Sequence, residues 1–383
     1  MSGRTAAFLV LTLTLLLIAL STGTTAYYLL FLTMLFTLLA ALVSAVSALW
    51  LVRAQVIVPK TQVVRGDNVS VRVLVRRRNL LPIGQVELKM AFSGAGALGW
   101  MSVSLPPMRE REYRYSVACP HRGQYEVGIS ALRVTDVFGL FTLRRRLRQG
   151  GGEVTVLPRV DREGEPLAIE PGENGPQARI RMTEDTSSPA GVRAWQEGDE
   201  LKKVHWKLSM RKRELMVRTY EESARPDTLI LMDLSPVSAT ASQIATLEDA
   251  MCETAGEAAF AQLRAGYPIR MPLNNQDPTE LAAQFPAQFE TVLNRLAFVR
   301  FDCPYSFEQI LSLETRRMQR TGGVVLVTTR LSSQAADFAL RMRRQGLAAS
   351  VYWVSSASAK EPQELLAQLN TQGVLTRQVN PWQ

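Results

Sequence analysis

The chain has 383 residues, 46% hydrophobic and 21% charged, with 44 Lys+Arg against 35 Asp+Glu and a net charge of +9. At about 150 residues per domain that length predicts two or three domains, and the composition excludes a largely disordered chain. Three widely spaced cysteines (Cys119, Cys252, Cys303) and only two histidines offer no disulfide framework and no Cys/His metal spacing, which favours a reducing compartment.

The first element is set by segregation of charge. No charged residue stands between Thr5 and Val52, and the block is Leu-rich. A helix needs about 20 residues to cross about 30 Å of hydrocarbon, so residues 1–54 are expected to form a two-helix transmembrane hairpin, with helices near 5–22 and 27–52 and a turn near Gly23. Tyr27, Tyr28 and Trp50 fall where an aromatic belt belongs. A signal peptide ending near Ala26 is the alternative; a second, longer apolar run follows it at once. Arg4, Arg53, Lys60, Arg65, Arg72 and Arg76–Arg78 flank the block while the turn has no Lys or Arg, so both termini are expected on the cytoplasmic side.

Charge is uneven beyond that point. Residues 1–225 carry 31 Lys+Arg against 20 Asp+Glu, and residues 226–383 carry 13 against 15. A basic, membrane-proximal part suits an anionic lipid surface. It lacks the aromatic-interleaved basic motifs of a nucleic-acid binder, so no nucleic acid is expected.

Residues 55–157 alternate apolar and polar side chains over short runs separated by turn residues, which predicts a β-rich, sandwich-like domain. The triplets Arg76–Arg78 and Arg144–Arg146 read either as lipid-binding groups or as solvated edge strands protected by charge. Residues 158–225 are expected to be a linker, rich in Gly, Pro, Glu and Ser over 158–190, and a denser polar segment that ends in a strand, Met216–Tyr220. Residues 226–383 alternate strand and helix: Asp227–Asp233, a helix ending at Gly266, the Tyr267–Leu273 strand, helices around Glu280–Leu296 and Phe307–Met318, then two further apolar strands, two helices and a last strand. Fully apolar strands between helices predict an α/β, doubly wound, mostly parallel sheet with ligands at the strands' carboxyl ends.

The first such end is Asp233-Leu-Ser235-Pro-Val237. It resembles the start of the metal-ion-dependent adhesion site of von Willebrand factor A domains, Asp-x-Ser-x-Ser, in which oxygen ligands face a hard cation. Val237 replaces the second Ser, and the later position expected to supply an acid reads Thr328-Thr329-Arg330. Asp233 and Ser235 would be the only protein ligands of a magnesium ion; the plainer expectation is that Asp233 caps the following loop and that no cofactor is held.

The segment Arg193–Arg211 is the densest polar and aromatic stretch. His205 and Ser209, at i and i+4, share a helical face, and with Asp199 they could be read as a hydrolase's base, nucleophile and orienting acid. Nothing marks Ser209 as sitting on a strained turn or beside an oxyanion hole. A structural network is the favoured alternative, with Asp199 pairing with Lys203 or Arg211 and Trp206 buried. No phosphate-binding glycine loop and no HExxH motif occurs.

Arg193, Gly198, Asp199, His205, Trp206, Ser209, Arg211, Leu215, Val217 and Arg218 together resemble the signature of the bacterial domain-of-unknown-function family fifty-eight. Arg122-Gly-Gln-Tyr125 and Thr135–Phe141, with Val137 in place of a Pro, resemble its upstream motifs. The resemblance implies two membrane helices, a β-rich segment and a von Willebrand A-like domain. It also implies a place in the bacterial inner membrane and association with MoxR-type AAA+ ATPases and transglutaminase-like membrane proteins. The expected function is therefore that of a non-enzymatic, membrane-anchored adaptor or assembly factor. A hydrolase and an anionic-lipid-binding protein are the alternatives.

Overall fold

A computed structural model describes residues 3–78, 81–93, 99–162, 189–196, 204–220, 226–237, 239–318, 320–355 and 360–382. The chain divides into two compact units, Met1–Leu157 and Pro158–Gln383.

The first unit begins with two helices, α1 (Gly3–Thr22) and α2 (Thr25–Leu51), both long and apolar enough to cross a membrane. Gly23 joins them at φ +67°, a left-handed conformation in which a Cβ would be strained, and its amide bonds the Ala19 carbonyl. Most large side chains on both helices are exposed, while Ala41, Ala45 and Ala48 are buried. No loop separates α2 from the β-region, because β1 (Val52–Ile57) starts at the next residue.

Seven more strands follow: β2 (Gln62–Val64), β3 (Asn68–Arg77), β4 (Val86–Phe92), β5 (Trp100–Val103), β6 (Glu110–Ala118), β7 (Gly123–Thr135) and β8 (Thr142–Leu157). They form two sheets, β1-β3-β6 and β2-β8-β7-β4-β5. Alternation sends Val69, Val71, Val73 and Val75 of β3 to one side and Leu88, Met90, Ile129 and Val154 of the other sheet to meet them, in a single core. Two expectations are corrected here. The strands are not uniformly short, since β7 has 13 residues and β8 has 16. Nor is the Arg76–Arg78 triplet a uniform solvated edge. Arg77 is 4% exposed and donates to the carbonyls of Leu105, at 2.9 Å, and Leu81, while burial pushes its guanidinium below its usual value.

The second unit opens with a two-stranded ribbon, β9 (Pro189–Ala194) against β10 (Met216–Tyr220), with the short helix α3 (Trp206–Lys212) between them. The proposed linker over 163–188, and Gly198 and Asp199 of the signature, lie outside the described residues.

The remainder is a six-stranded sheet of β11 (Asp227–Met232), β12 (Ile269–Leu273), β13 (Thr279–Ala283), β14 (Thr321–Thr328), β15 (Ala348–Val354) and β16 (Leu375–Val379). Its order is β13-β12-β11-β14-β15-β16, parallel throughout except for β13, which pairs antiparallel with β12 at one edge. Helix α4 (Ala241–Arg264) connects β11 to β12. Helices α5 (Phe289–Ala297) and α6 (Phe307–Thr315) precede β14, and α7 (Ser333–Arg344) and α8 (Lys360–Thr371) follow it. Every residue of β14 and β15 is buried, as a sheet covered on both faces requires. The helix expected from Glu280 starts only at Phe289. Thr279–Ala283 are taken as an edge strand by β12, and Pro286, which cannot donate to a preceding turn, opens a short 3₁₀ turn before the helix.

Candidate functional site

Three elements place the signature side chains. Val204 bridges to Val217, and the His205 amide donates to the Met216 carbonyl at 2.8 Å, so the segment is pinned to β10 before α3 begins. His205 caps α3: its Nδ1 accepts the Leu208 amide at 3.2 Å. Ser209 is 7% exposed, and its Oγ accepts the Met216 amide at 2.8 Å and approaches the His205 carbonyl at 3.1 Å. The hydroxyl is therefore bonded to backbone rather than to the imidazole. His205 and Ser209 are close in the chain yet do not form a base–nucleophile contact.

Trp206 corrects an expectation. It is 61% exposed, beside Met210 at 83%, rather than buried. Arg193 lies on β9 with an exposed side chain, and Arg211 is in the last turn of α3, near the carbonyl end of the helix dipole.

A second site forms where the strand order of the large sheet reverses. From β11 the chain runs outward to β12, and from β14 it runs the other way to β15, leaving a crevice at the carboxyl ends of β11 and β14. Asp233, directly after β11, is 3% exposed. Its Oδ1 accepts the Ser235 amide at 3.1 Å, a capping of the following loop, and its Oδ2 lies 3.1 Å from the Thr328 hydroxyl, whose single proton is shared with the Arg330 carbonyl at 2.9 Å. The Arg330 guanidinium stands 3.9 Å from Oδ2 with a side chain 61% exposed. Thr328 also receives the Arg330 amide at 3.0 Å, which fixes the turn that carries the guanidinium.

Asp233, Ser235 and Arg330 line a cleft of about 460 Å³ together with Cys303, Tyr305, Glu308 and Ser332, with Thr328 buried behind Asp233. Ser306 and Ser332 cap α6 and α7. Ser332 donates to Glu308 at 2.9 Å. The Glu308 carboxyl is held below its usual value by its own amide in the first turn of α6, then by Ser332, Ser306 and the Arg330 charge, against the opposing effect of burial. Burial pushes the Cys303 thiol up, and the charges of Asp233 and Asp302 add to the shift. The thiol is therefore held in its protonated, weakly nucleophilic form.

The donor set suits a hydrogen-bonded carboxylate better than a hard cation. Val237 supplies no oxygen where a second hydroxyl would be needed, and a guanidinium already faces Asp233. Among the described residues, no group of three or more His, Cys, Asp or Glu side chains could hold a metal ion. Neither histidine lines the cleft, so it has no imidazole base for its serines. What it offers is recognition: an exposed guanidinium, an exposed Tyr305 ring and a floor of tied-down polar groups. Sequence reasoning located Asp233 and Ser235 but missed Glu308 and Ser332. The Ser306-x-x-Gln309 capping pattern, which marks the start of α6, was the available signal for the former.

The family described as "Protein of unknown function DUF58" matches residues 191–355, a span that holds both α3 and the cleft. The chain is 26% identical over 182 residues to the uncharacterized protein YeaD of Bacillus subtilis, an alignment covering 45% of this chain and 46% of that relative. It thus spans about half the length of the curated relative it matches. Similar solved structures include the CARDB domain of the PF1109 protein from Pyrococcus furiosus, at 15% identity over 28% of this chain and 94% of that one with a TM-score of 0.20. Another is Spo0M, a sporulation control protein of Bacillus subtilis, at 14% identity over 38% and 58% with a TM-score of 0.16.

Proposed function

We propose that the protein is a non-enzymatic adaptor of the bacterial inner membrane. The α1–α2 hairpin spans the bilayer, and a cytoplasmic von Willebrand A-like domain recruits a MoxR-type AAA+ ATPase or that ATPase's client. The observation that carries the reading is the cleft at the reversal of strand order. Its carboxylate is consumed by an amide, a hydroxyl and a guanidinium, while Arg330 remains exposed to receive an acidic side chain. The 3-2-1-4-5-6 sheet order, with an antiparallel edge strand, supports the A-like assignment. The backbone-bonded Ser209 favours an adaptor over a hydrolase. A transglutaminase-like membrane protein fits the same scheme as a further component.

The test is reconstitution. The full chain in detergent is mixed with a purified MoxR-type ATPase, and co-elution and ATP turnover are measured. Binding that is lost in Arg330→Glu and kept in Ser209→Ala is the expected result. Absence of binding, together with an ester or peptide hydrolysis that needs both His205 and Ser209, would replace the adaptor with an enzyme.

A further inference from the structure

The hairpin is bonded to the β-domain at one particular height. Helix α1 has 20 residues, about 30 Å at 1.5 Å per residue. Counting the same 20 residues up α2 from Thr25 reaches Ser44, which is therefore level with the start of α1. At that level both helices give a buried hydroxyl to a loop of the β-domain: Thr5 donates to the Leu140 carbonyl and Ser44 to the Pro82 carbonyl. If the hydrocarbon layer is about 30 Å thick, these two loops lie where it ends.

The loops form one stiff rim. The Gly84 amide bonds the Thr135 carbonyl at 3.1 Å, and a Cβ on Gly84 would lie 2.3 Å from the Asp136 carbonyl oxygen, so the loops touch backbone to backbone. Asp136, 2% exposed, ties its own loop by accepting the Phe138 amide at 2.9 Å and the Phe141 amide at 2.6 Å. Such a loop holds its tip in place, and the tip it presents is apolar: Val137 is 51% exposed, Phe138 60%, and Leu81 across the rim 42%. In α1's first turn, Arg4 reaches the same loop, its guanidinium 3.7 Å from where a Gly139 Cβ would lie.

A basic rank stands just above. The last seven residues of α2 rise about 10 Å past Ser44 and lead into Arg53, which pairs in register with Arg76; both are exposed. The Arg78 amide donates to the Leu51 carbonyl, and Arg145 stacks on Trp50 at 4.9 Å. Arg76 faces Glu110 in the next strand, leaving the rank net positive. A height of about 10 Å is within reach of the headgroup layer and within a Debye length of its charge.

We propose that this rim is a membrane-inserting edge. Leu81, Val137 and Phe138 enter the interfacial layer of an anionic phospholipid bilayer, and Arg53, Arg76 and Arg78 meet its headgroups. The domain is thereby seated flush on the bilayer rather than swinging from the hairpin. The inference rests on the membrane-spanning reading of α1 and α2.

The test is depth measurement on the full chain in phosphatidylcholine nanodiscs with and without phosphatidylglycerol. Spin labels are placed singly through Phe138→Cys at the rim, Asn68→Cys at the opposite end of β3, and Leu13→Cys in the middle of α1; the native cysteines are buried. Collision with a water-soluble nickel chelate should be several-fold lower at position 138 than at 68, with oxygen collision higher. Phosphatidylglycerol should lower the nickel value at 138 further, and Arg53→Gln with Arg76→Gln should remove that increment while position 13 stays lipid-protected. A label at 138 as water-exposed as that at 68, with 13 lipid-protected, overturns the rim alone. A label shielded from both reagents indicates a protein cover and overturns it equally. A water-exposed label at 13 overturns the spanning reading and the rim with it.

Discussion

Replacing Ser209 with Ala isolates a structural role from a chemical one. The hydroxyl accepts the Met216 amide at 2.8 Å inside a site 7% exposed. The other groups it approaches lose little. The His205 carbonyl already receives the amides of Leu208 and Ser209 at 2.9 Å, and the Met216 carbonyl receives the His205 amide at 2.8 Å. The cost is therefore that of one buried amide left without its acceptor, about 1–3 kcal/mol, or roughly a five- to 150-fold increase in local opening. Hydrogen exchange over 204–217 reads this directly, with faster exchange confined to α3 and β10 as the expected pattern. This makes the substitution costlier than a solvent-facing Ser would suggest. Unchanged exchange together with a lost cellular phenotype, repeated by His205→Ala, would refute the reasoning and assign Ser209 a chemical role.

Four further outcomes follow from the same geometry. Trp206→Ala, at a side chain 61% exposed, should change the stability of the second unit by less than about 0.5 kcal/mol, measured by thermal melting; a larger loss would mean that another surface covers the ring. Glu308 has a depressed folded-state value, so its contribution is present above the ordinary glutamate range near pH 4.3 and is lost as pH falls through the folded value. Glu308→Gln should therefore melt slightly earlier than the parent at pH 7, by under about 1 kcal/mol because the side chain is partly solvated, and the two should converge in acid. Millimolar magnesium should raise the melting temperature little, and a shift of many degrees that disappears in Asp233→Ala would reinstate a cation site. A reporter active only in the periplasm, fused after Gln383, should stay silent; activity would reverse the expected orientation.

Several elements were legible because one physical term dominates them. The uncharged run from Thr5 to Val52 has the length and hydropathy of two membrane-spanning helices, and the wholly apolar Leu229–Met232 and Val324–Val327 runs suit strands covered on both faces. Asp233 was legible because a carboxylate directly after such a strand falls at the sheet's binding edge. What escaped depended on partners distant in sequence. Thr279–Ala283 has no strong preference of its own and becomes a strand because β12 offers it a free edge. Arg77 reads as one of three equivalent arginines, yet strand alternation turns it inward, where the carbonyls of Leu81 and Leu105 await it. Trp206 misled because apolar type predicts burial only statistically: Val204, two residues earlier, is the buried side chain that bridges to Val217 of β10, and the Trp206 ring at the start of α3 is exposed.

The arrangement around Asp233 separates where a carboxylate sits from what it can hold. The carboxylate's position follows from the sheet, since the residue after a central strand at the order reversal necessarily opens into the crevice. What it can hold there follows from its neighbours. With Thr328 on one oxygen, the Ser235 amide on the other and Arg330 in front, the carboxylate is stabilised in place and its charge is directed at a guanidinium of this same chain. At 3.9 Å that guanidinium is loosely held and largely solvated, so an incoming carboxylate could share it without uncovering the buried Asp233. A divalent cation would instead have to displace it and would then find too few oxygens. Binding of an acidic side chain thus requires no rearrangement of the cleft floor, whereas binding of a metal requires several, and this difference underlies the expectation that Arg330→Glu abolishes partner capture while magnesium leaves stability nearly unchanged.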